Sequence, residues 1–219
     1  MRRNTQKALK AQIIFCLLCI LCLFVATTFA QQPDAVQLFE QVATLIRDNR
    51  LAEAEKELTA VLKVSPNLPV ALNFMGTIRA KQGRLLEAET LFLRAVHNDK
   101  NFTGARMNLV YLYLLKRDPD KSILQLKEVH ALEPENAEAT EKLAELLFSQ
   151  GQFDECISFI EKQRAAQSVP ASLLVILGDA YLAKNDLTKA EENFLVALEG
   201  RLDNAGALFG LAQLSRLKG

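Results

Sequence analysis

Three carboxylates stand where a proton-transfer site could be built: Glu141 and Glu145, four residues apart, and Asp179, which interrupts the apolar run LLVILGDAYLA. Paired carboxylates can divide the roles of general acid and base, but only where burial or a neighbouring charge separates their pKa values. Four residues apart, the two glutamates share one helix face, where like charges cost about 0.2–0.5 kcal/mol. Asp179 is the more informative, because a carboxylate set among apolar residues needs a partner for its charge if folding buries it. His97 and His130 have no cysteine or carboxylate beside them at metal-ligand spacing, and they are expected to favour helix C-termini as cations. Cys156 is the one cysteine after the first thirty residues, which excludes an intramolecular disulfide framework; a packed thiol is expected, with an intermolecular disulfide as the alternative. No glycine-rich phosphate loop, Ser-His-Asp arrangement or cysteine pair occurs. No catalytic residue, cofactor or metal is therefore expected.

Arg2, Arg3, Lys7 and Lys10 precede a continuous apolar run from Ile13 to Ala26, with small residues Thr28 and Ala30 ahead of Gln31-Gln32-Pro33. That layout is a secretory signal over residues 1–30, followed by a short linker at 31–34. Counted on through Phe29, the run becomes the alternative, an uncleaved anchor, since a span needs roughly 20 residues. The expected location is periplasmic or secreted, with membrane contact only if the segment stays. All 26 acidic residues lie after Ala30 and four of the 26 basic ones before it, so the remainder carries a formal charge of −4. Such a body argues against nucleic acid, whose phosphates require clustered Lys and Arg. Cys16, Cys19 and Cys22 fall within the apolar run.

The elements that must position these side chains repeat with a period of 34. Units begin at Ala35, Pro69, Thr103, Ala137 and Ala171, and a terminal helix begins at Ala205, giving repeats 35–68, 69–102, 103–136, 137–170, 171–204 and a last helix in 205–219. The second unit shows the pattern best: amphipathic helices over Val70 to Lys81 and Leu85 to His97, turned by Gln82-Gly83. Two helices close to ~8–10 Å only where the crossing side chains are small, which sets Gly76 opposite Ala88 and Ala95. The Gly76 column continues as Val42, Val110, Ala144, Gly178 and Ala212, and the Ala88 column as Ala54, Ser122, Cys156 and Ala190. Asn49, Gly83, Gly151 and Asn185 suit the left-handed backbone of a tight helix end. The third unit is expected to turn differently, with Asp118 as a cap and Pro119 in the first turn. Repetition of this kind makes a solenoid held by nearest-neighbour packing.

Leu72, Met75, Gly76, Gly83, Leu85, Ala88, Phe92 and Ala95, and again Leu174, Leu177, Gly178, Tyr181, Ala190, Phe194 and Ala197, resemble the tetratricopeptide repeat, whose helix pairs carry Trp-Leu-Gly-Tyr and Ala-Phe-Ala-Pro. Val42, Val110 and Gln163 depart from that pattern. The resemblance implies an all-α fold, a right-handed superhelical solenoid of antiparallel helix pairs, whose first helices line a concave groove that binds other proteins. On that groove it places Asn73, Thr77 and Lys81, then Met107, Tyr111, Leu114 and Leu115, then Glu141, Glu145 and Phe148, and finally Val175, Asp179 and Leu182. The helix ARMNLVYLYLLK is apolar on more faces than its own partner can cover; its extra face is either a ligand anchor or is buried between neighbouring units. Some family members hold a terminal carboxylate with a Lys, Asn and Arg clamp. The comparable places here, Phe39, Ala43, Phe74, Gly104 and Asn108 or Asn73, Thr77, Asn108, Glu138 and Lys142, do not build it.

The expected function is thus a non-catalytic scaffold that binds a peptide or helix bearing apolar and basic residues, within an envelope, secretion or export assembly. The alternative is a substrate-recruiting module of an enzyme complex, such as a glycosyltransferase or a cytochrome-assembly system. In the terminal helix AGALFGLAQLSRLK, Gln213, Arg216 and Lys218 supply a wet face while Phe209 and Leu217 stay apolar. That helix is either a cap or a surface covered by a partner, including a second copy.

Overall fold

The computed structural model describes residues 35–166, 168–199 and 202–218. The signal segment expected over 1–30, its three cysteines and the linker at 31–34 lie outside them. The described residues form eleven α-helices and no strand: α1 (Ala35–Arg47), α2 (Leu51–Val64), α3 (Pro69–Lys81), α4 (Leu85–Asn98), α5 (Thr103–Leu115), α6 (Pro119–Leu132), α7 (Ala137–Ser149), α8 (Phe153–Ala166), α9 (Ala171–Ala183), α10 (Leu187–Glu199) and α11 (Ala205–Lys218).

One device reverses the chain inside each of the five pairs. A single residue takes a left-handed backbone, Asn49 (φ 60°), Gly83 (76°), Arg117 (58°), Gly151 (71°) and Asn185 (61°). The next N–H then donates to a carbonyl five residues back, Arg50 to Leu45, Arg84 to Arg79, Asp118 to Tyr113, Gln152 to Leu147 and Asp186 to Tyr181, all at 2.8 or 2.9 Å. This is the Schellman closure, which satisfies carbonyls that a helix end leaves unpaired. The third turn is therefore not an exception. Asp118 does cap α6, accepting from the Lys121 N–H at 3.3 Å, and Pro119 does open it, but the same left-handed step precedes them and falls on an arginine. A Cβ in that conformation costs about 1–2 kcal/mol. Arg117→Gly is expected to raise stability by roughly 0.5–1 kcal/mol, the relief of strain exceeding the greater freedom of glycine in the unfolded chain. Urea denaturation measures it, and a loss of stability would contradict the assignment of strain to Arg117.

The chain forms two compact units divided between Val61 and Leu62. The first holds α1 and most of α2, with Val42, Leu45, Ile46, Ala54 and Leu58 buried. In the second, α3 packs on α4, α5 on α6, α7 on α8 and α9 on α10, and each second helix packs on the first helix of the next pair. The first helices also touch one another, α3 with α5, α7 with α9 and α9 with α11, and a side-chain hydrogen bond from Tyr111 to Glu138 bridges α5 and α7.

Glycine sets the closeness of the pairs by making room for a phenylalanine. A Cβ on Gly76 would lie 2.6 Å from the Phe92 ring, and Phe92 sits between Ala88 and Ala95 on the buried face of α4. In the last full pair the same ring is clasped from two sides: a Cβ on Gly178 of α9 would meet Phe194 at 2.5 Å, and one on Gly210 of α11 at 2.3 Å. The register expected for the terminal helix changes accordingly. Ala207, Gly210 and Leu214 are its buried residues, while Ala212, expected in the small-residue column, is exposed. The stripe that in α9 faces its own second helix, Leu174, Gly178 and Tyr181, corresponds in α11 to Leu208, Ala212 and Ser215, and all three are exposed. The α11 helix packs on α9 and α10.

Candidate functional site on the layer of first helices

The side chains expected on the groove divide into those that tie the layer together and those that it leaves open. Asn108 Nδ2 of α5 donates to Asn73 Oδ1 of α3 at 2.8 Å, and Thr77 Oγ1 turns back to the Asn73 carbonyl at 3.1 Å. Across the next joint the Tyr111 hydroxyl donates to the Glu138 carboxylate, and Lys142 Nζ stands 5.4 Å from the Tyr111 ring centroid. Glu138 as acceptor, reinforced by burial, pushes the Tyr111 phenol up to about 12. Between α7 and α9, Ser172 Oγ donates to Glu141 Oε1 at 2.5 Å. Tyr111 and Glu141 are thus engaged within the array. Met107, Leu114 and Val175 are half-buried against the core, and Val175 lies against the backbone of Gly206 in α11. The second of the two readings of the apolar α5 face, burial between neighbouring units, describes Met107 and Leu114. Leu115 remains 66% exposed, and Lys81 and Glu145 are open to solvent.

Phe148, Asp179 and Leu182 come together at one place. With Ala183 of α9 and Phe209, Gln213 and Leu217 of α11 they line a cleft of about 500 Å³. Phe148 is braced from behind by Phe153, ring centroids 5.5 Å apart. Phe209, Gln213 and Leu217 follow at intervals of four and so form one stripe of α11. Asp179 is half-buried, its carboxylate oxygens still reaching solvent, and it makes no hydrogen bond or ion pair with any other described residue. Burial pushes its carboxyl up to about 6. Asp179 stands out in the sequence, and so do Phe209 and Leu217 as apolar residues of the terminal helix with Gln213 on its wet face; the spacing does not say which face of that helix turns toward the preceding pair, so their meeting with Asp179 is not legible there.

A second polar cluster lies inside the array and explains a departure from the repeat pattern. Gln163, where the other units have Val61, Ala95, Val129 and Ala197, is buried, and its Nε2 meets His130 Nε2 at 3.1 Å; His130 Nδ1 meets Thr140 Oγ1, also at 3.1 Å. The amide nitrogen can only donate, so His130 Nε2 accepts and the ring proton sits on Nδ1. Burial, and then the nearby Lys162 charge, hold the imidazole below its ordinary pKa. His130 is therefore a neutral link between α6, α7 and α8 and not the cation at a helix end that its position suggested. Cys156 is fully buried, its Sγ donating to the Ala144 carbonyl at 3.6 Å, and burial raises the thiol to about 11. That is a packed thiol. Among the described residues no group of three His, Cys, Asp or Glu side chains could hold a metal ion, and no helix is long and apolar enough to cross a membrane.

Paired helices closed by identical turns, with Ala88 and Phe92 of α4 recurring as Ala190 and Phe194 of α10, define a tetratricopeptide repeat protein. Models of that family match residues 33–102 and 113–172, and the chain belongs to it. Among curated proteins it is similar to "Cellulose synthase operon protein C" of Xanthomonas axonopodis pv. citri (strain 306), 29% identical over 194 residues; the match covers 89% of this chain but 11% of the length of that relative. Among solved structures it resembles YrrB, described as a TPR protein with an unusual peptide-binding site (TM-score 0.63, 19% identity, 86% of this chain and 97% of that one). It also resembles PilF of Pseudomonas aeruginosa (0.61, 14%, 82% of each) and MamA (0.62, 22%, 78% and 93%). At these identities the structures establish the fold, a solenoid of helix pairs.

Proposed function

We propose that the protein is a non-catalytic scaffold that docks another polypeptide on its layer of first helices. The observation that carries this reading is how the layer is built. Asn73–Asn108, Tyr111–Glu138 and Glu141–Ser172 join adjacent first helices, so the surface is in place before a partner arrives and little ordering entropy opposes binding. On the same surface Leu115, Phe209 and Leu217 are left 66, 65 and 63% exposed. Open carboxylates on such a face lack the closed, shielded site that acid–base chemistry requires, and tetratricopeptide repeat proteins are in general scaffolds. The partner segment is apolar and basic, and the N-terminal basic start and apolar run support placing the assembly in the envelope, periplasmic or secreted, with self-association through α11 as a competing use of that surface.

The similarity to a protein named for a cellulose synthase operon favours one form of the alternative, in which the array recruits a component to a polymer-synthesising glycosyltransferase complex. Both readings use the same face. A photo-crosslinker placed at Leu115 on the first-helix layer is expected to capture a defined protein in cells that the same group at Leu124 does not; Leu124 lies on α6 and is 56% exposed. Equal yields from the two sites, or no product from Leu115, would end the reading. The captured protein's own activity separates an assembly component from a synthase.

A further inference from the structure

We propose that the cleft between α9 and α11 is a receptor for a single basic side chain, Lys or Arg, presented by the partner segment with apolar residues beside it. The inference rests on the scaffold reading and names what one part of that surface recognises.

The shape and chemistry of the cleft match an amphipathic cation. Its walls are Phe148, Leu182, Ala183, Phe209 and Leu217, and its polar groups are Gln213 and the Asp179 carboxylate. Lys and Arg carry a hydrocarbon stem that lies well along apolar surface and a charged head that needs an acceptor. At about 500 Å³ the cleft is in the range of sites that hold a ligand group, roughly 300–1,000 Å³. Asp179 is the only ionisable group among the lining residues, and no described residue neutralises it. Two other half-buried carboxylates, in contrast, are matched: Glu89 pairs with Lys116 and Glu161 accepts from the Tyr181 hydroxyl. An unmatched carboxylate between aromatic and aliphatic walls favours a cation and disfavours an anionic or purely apolar group. The depressed acidity of Asp179 points the same way, since burial without a counter-charge is its sole cause. Asn, Ser or Ala at this place would leave the helix intact and remove the conflict.

The test uses the full chain and two acetylated, amidated dodecapeptides that are identical except at one central position, lysine in one and norleucine in the other, with leucines three and four residues away. Norleucine keeps the hydrocarbon stem and lacks the ammonium. By fluorescence anisotropy the lysine peptide is expected to bind roughly tenfold more tightly, the scale of a charge-assisted hydrogen bond. Asp179→Asn is expected to bring the ratio of the two affinities to about one, and Phe209→Ala to weaken both peptides while preserving the ratio. Equal binding of the two peptides to the wild type, binding of neither, or a ratio that survives Asp179→Asn would overturn the proposal. So would sedimentation showing a dimer that Phe209→Glu dissolves, because a second copy would then fill the cleft. Failure here leaves the scaffold reading standing if the Leu115 crosslink persists; loss of that crosslink removes the reading itself.

Discussion

Phe194→Ala is expected to lower stability by about 3–5 kcal/mol, the range for removing a fully buried aromatic side chain. Phe194 is buried completely, and its ring occupies the space that Gly178 on one side and Gly210 on the other leave open by lacking a Cβ. Those glycines cannot move in to refill the gap without dragging α9 and α11 across the buried face of α10. The cavity therefore stays, with its lost dispersion contacts. The effect should also be local. In a repeat array, coupling passes between neighbours, and α11 packs on α9 and α10. Amide exchange in α11 is expected to accelerate first, ahead of α3 to α6, with urea denaturation reporting the overall loss. A loss under about 1 kcal/mol, or exchange that rises evenly along the chain, would show that the ring is not the clasp between these helices.

The second large effect has the opposite sign. Asp179→Asn is expected to stabilise the fold at pH 8, because the carboxylate it replaces is half-buried without a counter-charge. In the unfolded chain this carboxyl ionises near its ordinary 3.8, and in the folded chain near 6, raised by burial. Between those values the folded state holds the proton more often, so stability falls as pH rises from about 4 to about 6 and stays at its lower level above. A shift of that size corresponds to about 3 kcal/mol at most, and the partial exposure of the side chain reduces it to roughly 1–2 kcal/mol. Asn keeps the shape and removes the charge, so the gain at pH 8 should shrink toward zero at pH 4. A variant no more stable than wild type at pH 8, by urea denaturation, would mean that solvent already screens the group. Together with the lysine-peptide measurement this separates two properties of one residue: a burden on the isolated fold, and an acceptor for an incoming cation.

Much of the architecture is legible in the sequence because it is written in local chemistry. Asn49, Gly83, Gly151 and Asn185 were readable as left-handed turn residues from their types alone, and each adopts that conformation. Arg117 was not readable so, and an arginine carries no such signal; the turn is imposed on it by the packing of α5 against α6. The small-residue columns were likewise visible, yet what Gly76 and Gly178 make room for, Phe92 and Phe194, depends on which turn of one helix faces which turn of the next. Gln163 and His130 read as a lapse from the pattern and a charged helix end. They are one hydrogen-bonded chain with Thr140, a pairing across three helices that no single-helix period contains.

The amino-acid sequence by itself determined that this chain makes paired helices of nearly equal length that recur with a 34-residue period, and places an aspartate where an apolar residue would be easier to accommodate. Those facts follow from short-range causes: backbone freedom at turns, the 3.6-residue period of apolar side chains, and the size of residues at helix crossings. Only the tertiary structure decided which residues of α5 are buried and which are open, that Tyr111 and Glu141 are already engaged, and that α11 turns Phe209, Gln213 and Leu217 toward Asp179. The reason is geometric. The rotation of a helix about its own axis is fixed by the neighbours it packs on, and for α11 those neighbours are the glycine-lined crossing at Phe194, so the cleft exists only once that crossing has formed.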